Sequence, residues 1–231
     1  MKQRKEETPK SGDNAGSFYD RIAQFHDLTF KFNQYGRSIE RYLRRHPMPL
    51  PYGAHILDAG CGTGLLTLAL IRTLTRPARI TAVDLSASSL AVARKAVEEE
   101  NEKKSRALHE VNFTQANVLA LPFADASFDL VVTSGVLEYV PLEDGLAELA
   151  RTLAPGGYLL HLPMRPTPVS RLLEKMYRFK THPPQEVTAS TSRFFQVVGH
   201  YRFPPLDPIS WTKTALLARK VWQTQSGEAH A

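Results

Sequence analysis

The sequence predicts an α/β protein in which a mostly parallel, seven-stranded sheet carries helices on both faces. Short apolar segments alternate with amphipathic ones between residues 54 and 162, the pattern of repeated strand–helix–strand units. A segment with three glycines, 60–64, follows the first of these apolar runs. Two more strand-like segments, 192–203 and 209–220, are joined by the short stretch 204–208. That connection is too short for a parallel crossover, so these strands should pair antiparallel and close the sheet.

The elements follow from hydrophobic periodicity and from residues that begin or end them. The predicted strands are 54–59, 78–84, 111–117, 128–134, 158–162, 192–203 and 209–220. The predicted helices between them are 65–74, 87–101 and 142–153. Ser86 stands where it can cap the second of these helices. Before the first strand, apolar residues at spacings of three and four predict an N-terminal helical cap of two helices, separated at Gly36.

Composition excludes several classes of protein. Hydrophobic residues make up 42% and charged residues 23%, which is typical of a globular chain. The single cysteine rules out a disulfide framework, and no histidine pair has metal-ligand spacing, so we expect no metal site. The polar N terminus and the lack of a long apolar run lead us to expect a cytoplasmic protein, either free or peripheral to the inner face of the membrane.

The net charge of +6 is unevenly distributed. Basic residues are in excess in 1–50 and 165–221, whereas acidic residues are in excess in 51–164. This pattern has two interpretations that the sequence leaves open. The flanking segments form solvated helix faces, or they form a surface that attracts an anionic substrate or an anionic membrane.

The strand-to-helix turn 58–64 carries the clearest functional signal. Glycine permits positive φ and lets the backbone approach a ligand, and the helix N-terminus behind the turn offers free N–H groups. Asp84 ends the second predicted strand, where a carboxylate can accept hydrogen bonds from ribose hydroxyls. The glycine spacing does not fit the dinucleotide fingerprint, and no Walker-type loop is present. The combination predicts a nucleoside-containing cofactor.

The turn resembles motif I of the class I, Rossmann-like S-adenosylmethionine-dependent methyltransferases. Segments 117–118, 121–129 and 153–157 fall where that family has its later motifs. The resemblance implies S-adenosyl-L-methionine as cofactor, with Asp84 on the ribose and Asn117 at the adenine. The cofactor-binding residues that it implies are Asp58, Gly60, Cys61, Gly62, Gly64, Asp84, Leu85, Asn117, Val118 and Ser134. Cys61 fills a small position of the turn and is not expected to be a nucleophile.

The N-terminal segment resembles the ubiquinone/menaquinone-biosynthesis methyltransferases within this class. Residues 19–23 and 27–28 match that group, while 134–140, after the fourth strand, depart from it. The resemblance therefore implies a small-molecule or lipid-like methyl acceptor, either a quinone precursor or a phospholipid headgroup. Two other hypotheses remain at this stage. They are a nucleic-acid methyltransferase, suggested by the pI near 9.5 but lacking any nucleic-acid-binding motif, and a protein that binds the cofactor without turnover.

Together with the composition along the chain, the resemblance also implies how the chain is organised into tails and a domain. We expect a flexible tail at 1–16, a single methyltransferase domain at 17–221 and a second tail at 222–231. Within the domain, 17–50 would be the cap, 51–164 the cofactor-binding core, and 165–221 a substrate-side helix and the terminal strand pair. Positive and apolar residues are mixed in 165–182, which suits a helix lying on anionic lipid or a cap helix packed on the sheet.

A general base is needed only if the acceptor is a phenol, a ring carbon or a protonated amine. The candidates near the expected pocket are Tyr19, His26, Glu138 and His161. Each has an ordinary structural alternative: Tyr19 packing the cap, His26 at its edge, Glu138 starting a helix, and His161 packing in the sheet. The sequence names no partner beyond the acceptor and no oligomeric state.

Overall fold

The computed structural model describes residues 34–103, 108–177 and 179–221. The strands are β1 (Ala54–Ala59), β2 (Ala78–Asp84), β3 (Glu110–Gln115), β4 (Phe128–Ser134), β5 (Leu153–Leu162), β6 (Gln196–Tyr201) and β7 (Ala215–Arg219). The helices are α1 (Tyr35–Arg45), α2 (Leu65–Thr73), α3 (Ala87–Glu102), α4 (Leu142–Thr152), α5 (Pro168–Tyr177) and α6 (Pro184–Ser192), with a 3₁₀ helix at Pro208–Trp211.

The strands form one seven-stranded sheet in the order β3-β2-β1-β4-β5-β7-β6. The first five strands in that order pair in parallel, and β7 pairs antiparallel with both β5 and β6. The predicted fold class, including the antiparallel strand pair, is confirmed. The strand order reverses between β1 and β4, and in open sheets of this kind ligands bind at the carboxyl ends of the strands beside such a reversal.

Both faces of the sheet are buried, so neighbouring residues of a central strand enter different cores. Ile56 of β1 packs with Leu70 of α2 and Ile39 of α1 on one face. Leu57, its neighbour, packs with Leu146 and Leu149 of α4 on the other face. This explains why the central strands are apolar runs rather than alternating apolar and polar residues.

Ser86 is confirmed as the N-cap of α3, since its side chain accepts a hydrogen bond from the Ser89 backbone N–H at 3.2 Å. The boundary expected at Gly36 is wrong, because α1 begins one residue earlier, at Tyr35. β5 begins at Leu153 rather than at residue 158, with an irregular register where it leaves β4. The first helix of the predicted cap and both predicted tails lie outside the described residues.

The prediction was wrong in detail in the C-terminal third. Residues 209–214 are not strand, because Pro208 begins a 3₁₀ turn in which the Ser210 N–H donates to the Asp207 carbonyl at 2.8 Å. The predicted helix 165–182 is shortened to α5, and α6, which starts at Pro184, was not predicted. Over the part of the chain that is described, no helix has both the length and the apolar character needed to cross a membrane.

Candidate active site

The glycine turn between β1 and α2 is fixed by hydrogen bonds to the end of β2. The N–H groups of Gly60 and Cys61 both donate to the Val83 carbonyl, at 2.9 and 2.8 Å. Gly60, Gly62 and Gly64 all have positive φ, at 74°, 54° and 88°. The backbone conformation thus requires glycine at these three positions, as their spacing suggested.

The three glycines differ in the space around them. A Cβ at Gly60 would lie 2.4 Å from the Cβ of Val136, and one at Gly64 would lie 3.1 Å from the Cβ of Ala93. A Cβ at Gly62 would meet no atom within 4 Å, and Gly62 lines a cavity at this end of the sheet. Gly60 and Gly64 therefore permit close packing, whereas Gly62 leaves open the space in which a ligand can approach the backbone.

Asp84, at the end of β2, connects the glycine turn to the next turn. Its Oδ2 accepts a hydrogen bond from the Gly62 N–H at 2.8 Å, and its Oδ1 accepts one from the Ser86 N–H at 2.9 Å. Burial raises the pKa of this carboxyl, while hydrogen bonds from backbone N–H groups oppose the rise. The backbone N–H groups of Gly62, Ser86 and Leu85 leave part of the acceptor capacity of this carboxylate unused, and Asp84 lines the cavity, so it can also accept from a bound ligand.

Asp58 lies beneath the turn and does not line the cavity. Its Oδ2 accepts a hydrogen bond from the Thr67 hydroxyl of α2 at 2.5 Å, which ties the end of β1 to the helix. Burial, with a smaller effect from Asp84, raises the pKa of Asp58 to about 7. The geometry therefore gives Asp58 a supporting position under the loop, one layer away from any ligand in the cavity.

The other residues implied at the cofactor site come together around the same cavity. Leu85 lines it just after β2, Val118 lines it in the turn after β3, and Ser134 lines it at the end of β4, while Cys61 lines it from the glycine turn. Asn117 also lines it, and its Oδ1 accepts a hydrogen bond from the Leu119 N–H at 3.0 Å. Burial, followed by the nearby Asp58 and Asp84, raises the pKa of the Cys61 thiol well above its usual value, and a neutral thiol is a poor nucleophile.

The cavity continues past the ends of β4 and β5 into a second, more apolar section. The whole cavity, with both sections, has a volume of about 230 Å³ and is a concave pocket for a small molecule rather than a flat interface. The second section is lined by α1, the turn after β4, the segment after β5, α5 with the segment that follows it, and the segment around the 3₁₀ helix. Its residues are Tyr35, Ile39, Tyr139, Met164, Leu173, Phe179, Ile209, Thr212 and Lys213. We call it the acceptor section.

None of these side chains was predicted as a site residue, although the cap and the segment 165–182 were expected on the substrate side. The Tyr35 hydroxyl and the Thr212 hydroxyl lie 2.7 Å apart and join α1 to the 3₁₀ segment across 177 positions of sequence. Tyr139 packs against Phe179, with ring centroids 5.6 Å apart. Contacts over such sequence distances leave no local pattern. The only available signal was that apolar and aromatic residues recur in the segments flanking the core.

Glu138 lies in the turn after β4, where it is buried, and α4 begins only at Leu142. The alternative that it starts a helix is therefore wrong. Its Oε1 accepts a hydrogen bond from the Met164 N–H at 2.5 Å, which anchors the turn to the segment after β5. Its Oε2 has no hydrogen-bond partner among the described residues.

His161 is buried within β5, does not line the cavity, and has no hydrogen-bond partner for either ring nitrogen among the described residues. Burial, with the positive charge of Lys213 acting in the same direction, lowers its pKa to about 3. The ring is thus neutral and unfit to hold a proton at neutral pH. Tyr19 and His26, the other two candidate bases, lie outside the described residues. In the described ranges no cluster of three or more His, Cys, Asp or Glu could hold a metal ion.

Comparison with known proteins gives the family context for this site. A family model described as a methyltransferase domain matches residues 57–161. A 2-phytyl-1,4-naphtoquinone methyltransferase of Thermosynechococcus vestitus is 28% identical over 82% of this chain and 80% of its own length. A demethylmenaquinone methyltransferase of Thermus thermophilus is 34% identical over 65% of this chain and 66% of its own length. Among solved structures, an N-methyltransferase from Bradyrhizobium japonicum in complex with S-adenosyl-L-homocysteine has a TM-score of 0.68 at 18% identity, covering 90% of this chain and 99% of that one.

The fold, the glycine turn with its acidic partner and the family match define a class I, Rossmann-like methyltransferase, an enzyme that takes its methyl group from S-adenosyl-L-methionine. The class that the motifs predicted is confirmed. Within it the chain resembles the ubiquinone/menaquinone-biosynthesis methyltransferases, the group indicated by residues 19–28.

Proposed function

We propose that this enzyme methylates a ring carbon of a hydrophobic quinone precursor. The observation that carries the proposal is the cavity, which runs without interruption from the glycine turn into the apolar, aromatic acceptor section. The names of the two relatives, a phytyl-naphthoquinone and a demethylmenaquinone methyltransferase, support this acceptor class. A phospholipid headgroup, the other acceptor considered, would place a polar group among these apolar side chains, which is less favourable.

The cofactor would lie along the ends of β1, β2 and β4. Asp84 would accept hydrogen bonds from the ribose hydroxyls through the lone pairs that its backbone donors leave free. Leu85, Asn117 and Val118 would enclose the adenine, and Ser134 would flank the methionine part. The open space over Gly62 fits this placement, because a ligand could approach the turn there without meeting a side chain.

S-adenosyl-L-methionine supplies a methyl group that is already activated on a sulfonium sulfur. The work left to the protein is to hold the acceptor in line with the carbon–sulfur bond and to keep water out. The apolar side chains of Ile39, Leu173 and Ile209 would exclude water from the acceptor section. Glu138 would hold the turn that separates the two sections through its bond to the Met164 N–H.

A radiolabel assay tests this proposal. The purified chain is incubated with methyl-labelled S-adenosyl-L-methionine and either a reduced prenylated 1,4-naphthoquinone, phosphatidylethanolamine vesicles or bulk RNA. Label should enter the naphthoquinol and remain attached to carbon after acid treatment. Label that enters only the phospholipid or only RNA would contradict the proposal. The Asp84→Ala variant, which lacks the ribose acceptor, serves as the control for cofactor-dependent transfer.

We further propose that α5 attaches the enzyme to an anionic membrane surface from which such an acceptor could enter. Val169, Leu172 and Met176 lie on one side of this helix at spacings of three and four, and they are 47%, 62% and 52% exposed. Arg171 and Lys175 on the same helix are also exposed. Exposed apolar side chains beside basic ones suit a helix lying in the interface of anionic lipid.

The position of α5 links this surface to the cavity. Leu173, next to Leu172, points the other way, packs with Phe179 and lines the acceptor section. The same helix therefore has one side on the cavity and an exposed apolar side, so a lipid-like acceptor would have a short path between them.

Vesicle co-sedimentation tests the membrane proposal. We expect binding to vesicles with phosphatidylglycerol but not to neutral vesicles, and weaker binding in high salt. Leu172→Glu should abolish binding. Val198→Glu changes a similarly exposed apolar side chain on β6 and should leave it intact. Equal binding of both variants, or no binding of the wild type, would contradict the role given to α5.

A further inference from the structure

Lys213 lines the acceptor section from the short segment between the 3₁₀ helix and β7. It follows the 3₁₀ helix, where its backbone N–H donates to the Ile209 carbonyl at 2.8 Å, and it forms an isolated bridge with Met164. The side chain is 4% exposed and lines the cavity. Its Nζ lies 3.4 Å from where a Cβ on Gly135 would be, just past the end of β4. The ammonium is therefore in the interior, beside the turn that separates the two sections.

The amine of Lys213 has few partners. Its hydrogen bond among the described residues runs from Nζ to the Leu162 carbonyl at 3.4 Å, which is long, and it can donate three. No described carboxylate forms an ion pair with it. A buried ammonium with one long hydrogen bond is poorly compensated for the loss of water, and it leaves donors unused next to the space in which a ligand would sit.

Lys220 shows how a lysine with a purely structural role is arranged in the same chain. Its Nζ donates to the carbonyls of Ala150 and Leu153 at 2.6 and 2.7 Å, at the opposite end of the sheet from the cavity. Both bonds are short, and they fix Lys220, the residue that follows β7, to the end of α4 and the start of β5. Lys213 has no such pair of acceptors, as expected for a lysine whose side chain binds a ligand.

The groups around Lys213 do not supply that partner. Burial lowers its pKa, and Glu138 acts in the opposite direction through its charge, without direct contact. One oxygen of Glu138 is already held by the Met164 N–H. His161 is neutral beside it. Tyr35 and Tyr139 are the titratable side chains of the acceptor section besides Lys213, and the hydroxyl of Tyr35 is paired with Thr212. A ligand anion placed here would therefore find donors on Lys213 with which no described carboxylate forms an ion pair. It would also lie in the field of Glu138, whose Oε2 has no hydrogen-bond partner among the described residues.

We propose that Lys213 binds the ionised ring oxygen of a phenol-type acceptor and so selects acceptors that carry a hydroxyl next to the carbon to be methylated. The inference rests on the proposed function, because it specifies the acceptor of that same site. The other side chains of the acceptor section, such as Leu173 and Phe179, contact the apolar part of a flat molecule, while Lys213 offers the charged contact. Negative charge on a ring oxygen is shared with the adjacent ring carbons and makes them better nucleophiles.

The first experiment compares Lys213→Met, Lys213→Arg and the control Lys220→Met in methyl transfer to a reduced 2-prenyl-1,4-naphthoquinone. Lys213→Met should lower kcat/KM at least tenfold, should shift the rise of rate with pH to higher pH, and should leave affinity for S-adenosyl-L-homocysteine within threefold of wild type. Lys213→Arg should restore part of the rate. Lys220→Met should lower the urea midpoint and leave KM for the naphthoquinol unchanged.

Two results of this experiment would overturn the inference. One is an unchanged kcat/KM and pH profile in Lys213→Met. The other is a loss of affinity for S-adenosyl-L-homocysteine as large as the loss of kcat/KM, because the ammonium would then be bound to the cofactor rather than to the acceptor.

A second measurement needs no turnover. The ionised form of 4-nitro-1-naphthol absorbs in the visible, so its protonation can be followed when it binds to the enzyme loaded with S-adenosyl-L-homocysteine. The wild type should bind the ionised form and lower the apparent pKa of the bound naphthol, and Lys213→Met should not. A wild type that shows this shift but does not methylate naphthoquinols would refute the proposed function alone. A wild type that methylates them without any dependence on Lys213 in either measurement would refute the inference alone.

Discussion

Replacing Gly60 by alanine should lower the stability of the fold in two ways. The structure offers control glycines with which the two contributions can be measured separately. The first is the positive φ of 74°, which costs an L-residue roughly 1–2 kcal/mol. The second is the contact with Val136, whose Cβ would lie 2.4 Å from the new Cβ. Forcing an extra carbon into a packed site typically costs about 1–3 kcal/mol. We expect Gly60→Ala to lower the free energy of unfolding by roughly 2–5 kcal/mol, a large share of the total for a domain of this kind.

Gly53 and Gly62 provide the matched controls. Gly53 has φ 71°, nearly the value at Gly60, but a Cβ there would meet nothing within 4 Å and the residue does not line the cavity. Gly53→Ala should therefore show the backbone cost alone. Gly62→Ala should cost a similar amount of stability, yet lower affinity for S-adenosyl-L-homocysteine at least tenfold, because its Cβ would occupy space left for the ligand.

Urea denaturation followed by circular dichroism gives the stabilities, and isothermal titration calorimetry gives the affinities. The difference between Gly60→Ala and Gly53→Ala isolates the contact with Val136 and should be about 1–3 kcal/mol. If the two variants unfold at the same urea concentration, the close packing of the turn against Val136 is refuted. If Gly62→Ala binds the product as tightly as the wild type, the ligand does not lie over this glycine.

Three further predictions concern side chains, and one concerns the cap. Asp84→Ala should weaken binding of S-adenosyl-L-homocysteine at least tenfold, since two hydrogen bonds to a charged group are lost at about 1.5–3 kcal/mol each; unchanged affinity by calorimetry would contradict the assignment. The carboxyl of Asp58 has its pKa raised from 3.8 to about 7, so its stabilising effect is complete below about pH 4 and is lost as the pH rises to about 7. The urea midpoint of the wild type should therefore fall more steeply between about pH 4 and pH 7 than that of Asp58→Asn. Midpoints that fall in parallel with pH in variant and wild type would refute this prediction. His161→Leu should keep the pH–rate profile of the wild type, because a ring with a pKa of about 3 does not exchange protons near neutrality; loss of one limb of the profile would identify it as a base after all. Removal of residues 1–15 should spare activity and removal of 1–35 should abolish it; full activity in the longer deletion would show that the cap is dispensable.

The fold and the cofactor end of the cleft could be predicted because their signals are local. β1, the glycine turn and α2 are contiguous, and each glycine has a backbone reason that the spacing already expresses. Asp84 stands at the end of the next strand in the chain, so parallel pairing of β1 with β2 is enough to bring it to the turn. The alternation of strands and helices, together with the glycine turn, is thus enough to predict the cofactor half of the site.

The acceptor end could not be predicted in the same way. Lys213 lies in a segment that reads as a strand, where a lysine is normally on the solvent side, and the 3₁₀ turn at Pro208 changes where it points. Its position beside Gly135 depends on β7 pairing with β5, more than fifty residues earlier in the chain. Glu138 was named, but as a helix residue or a base, because nothing in the sequence reports its bond to the Met164 N–H.

The order of the strands also bears on how the enzyme is made. β7 is inserted between β5 and β6, although it follows both along the chain. On a ribosome, β1 to β5 can pair as they emerge, and the cofactor half of the cleft can assemble early. The acceptor half must form later, because Lys213 and β7, the strand that follows it, leave the exit tunnel last among the described elements. Until then the edge of β5 is open and β6 has no neighbour, so the nascent chain exposes two unpaired strand edges during the interval in which it cannot yet select an acceptor.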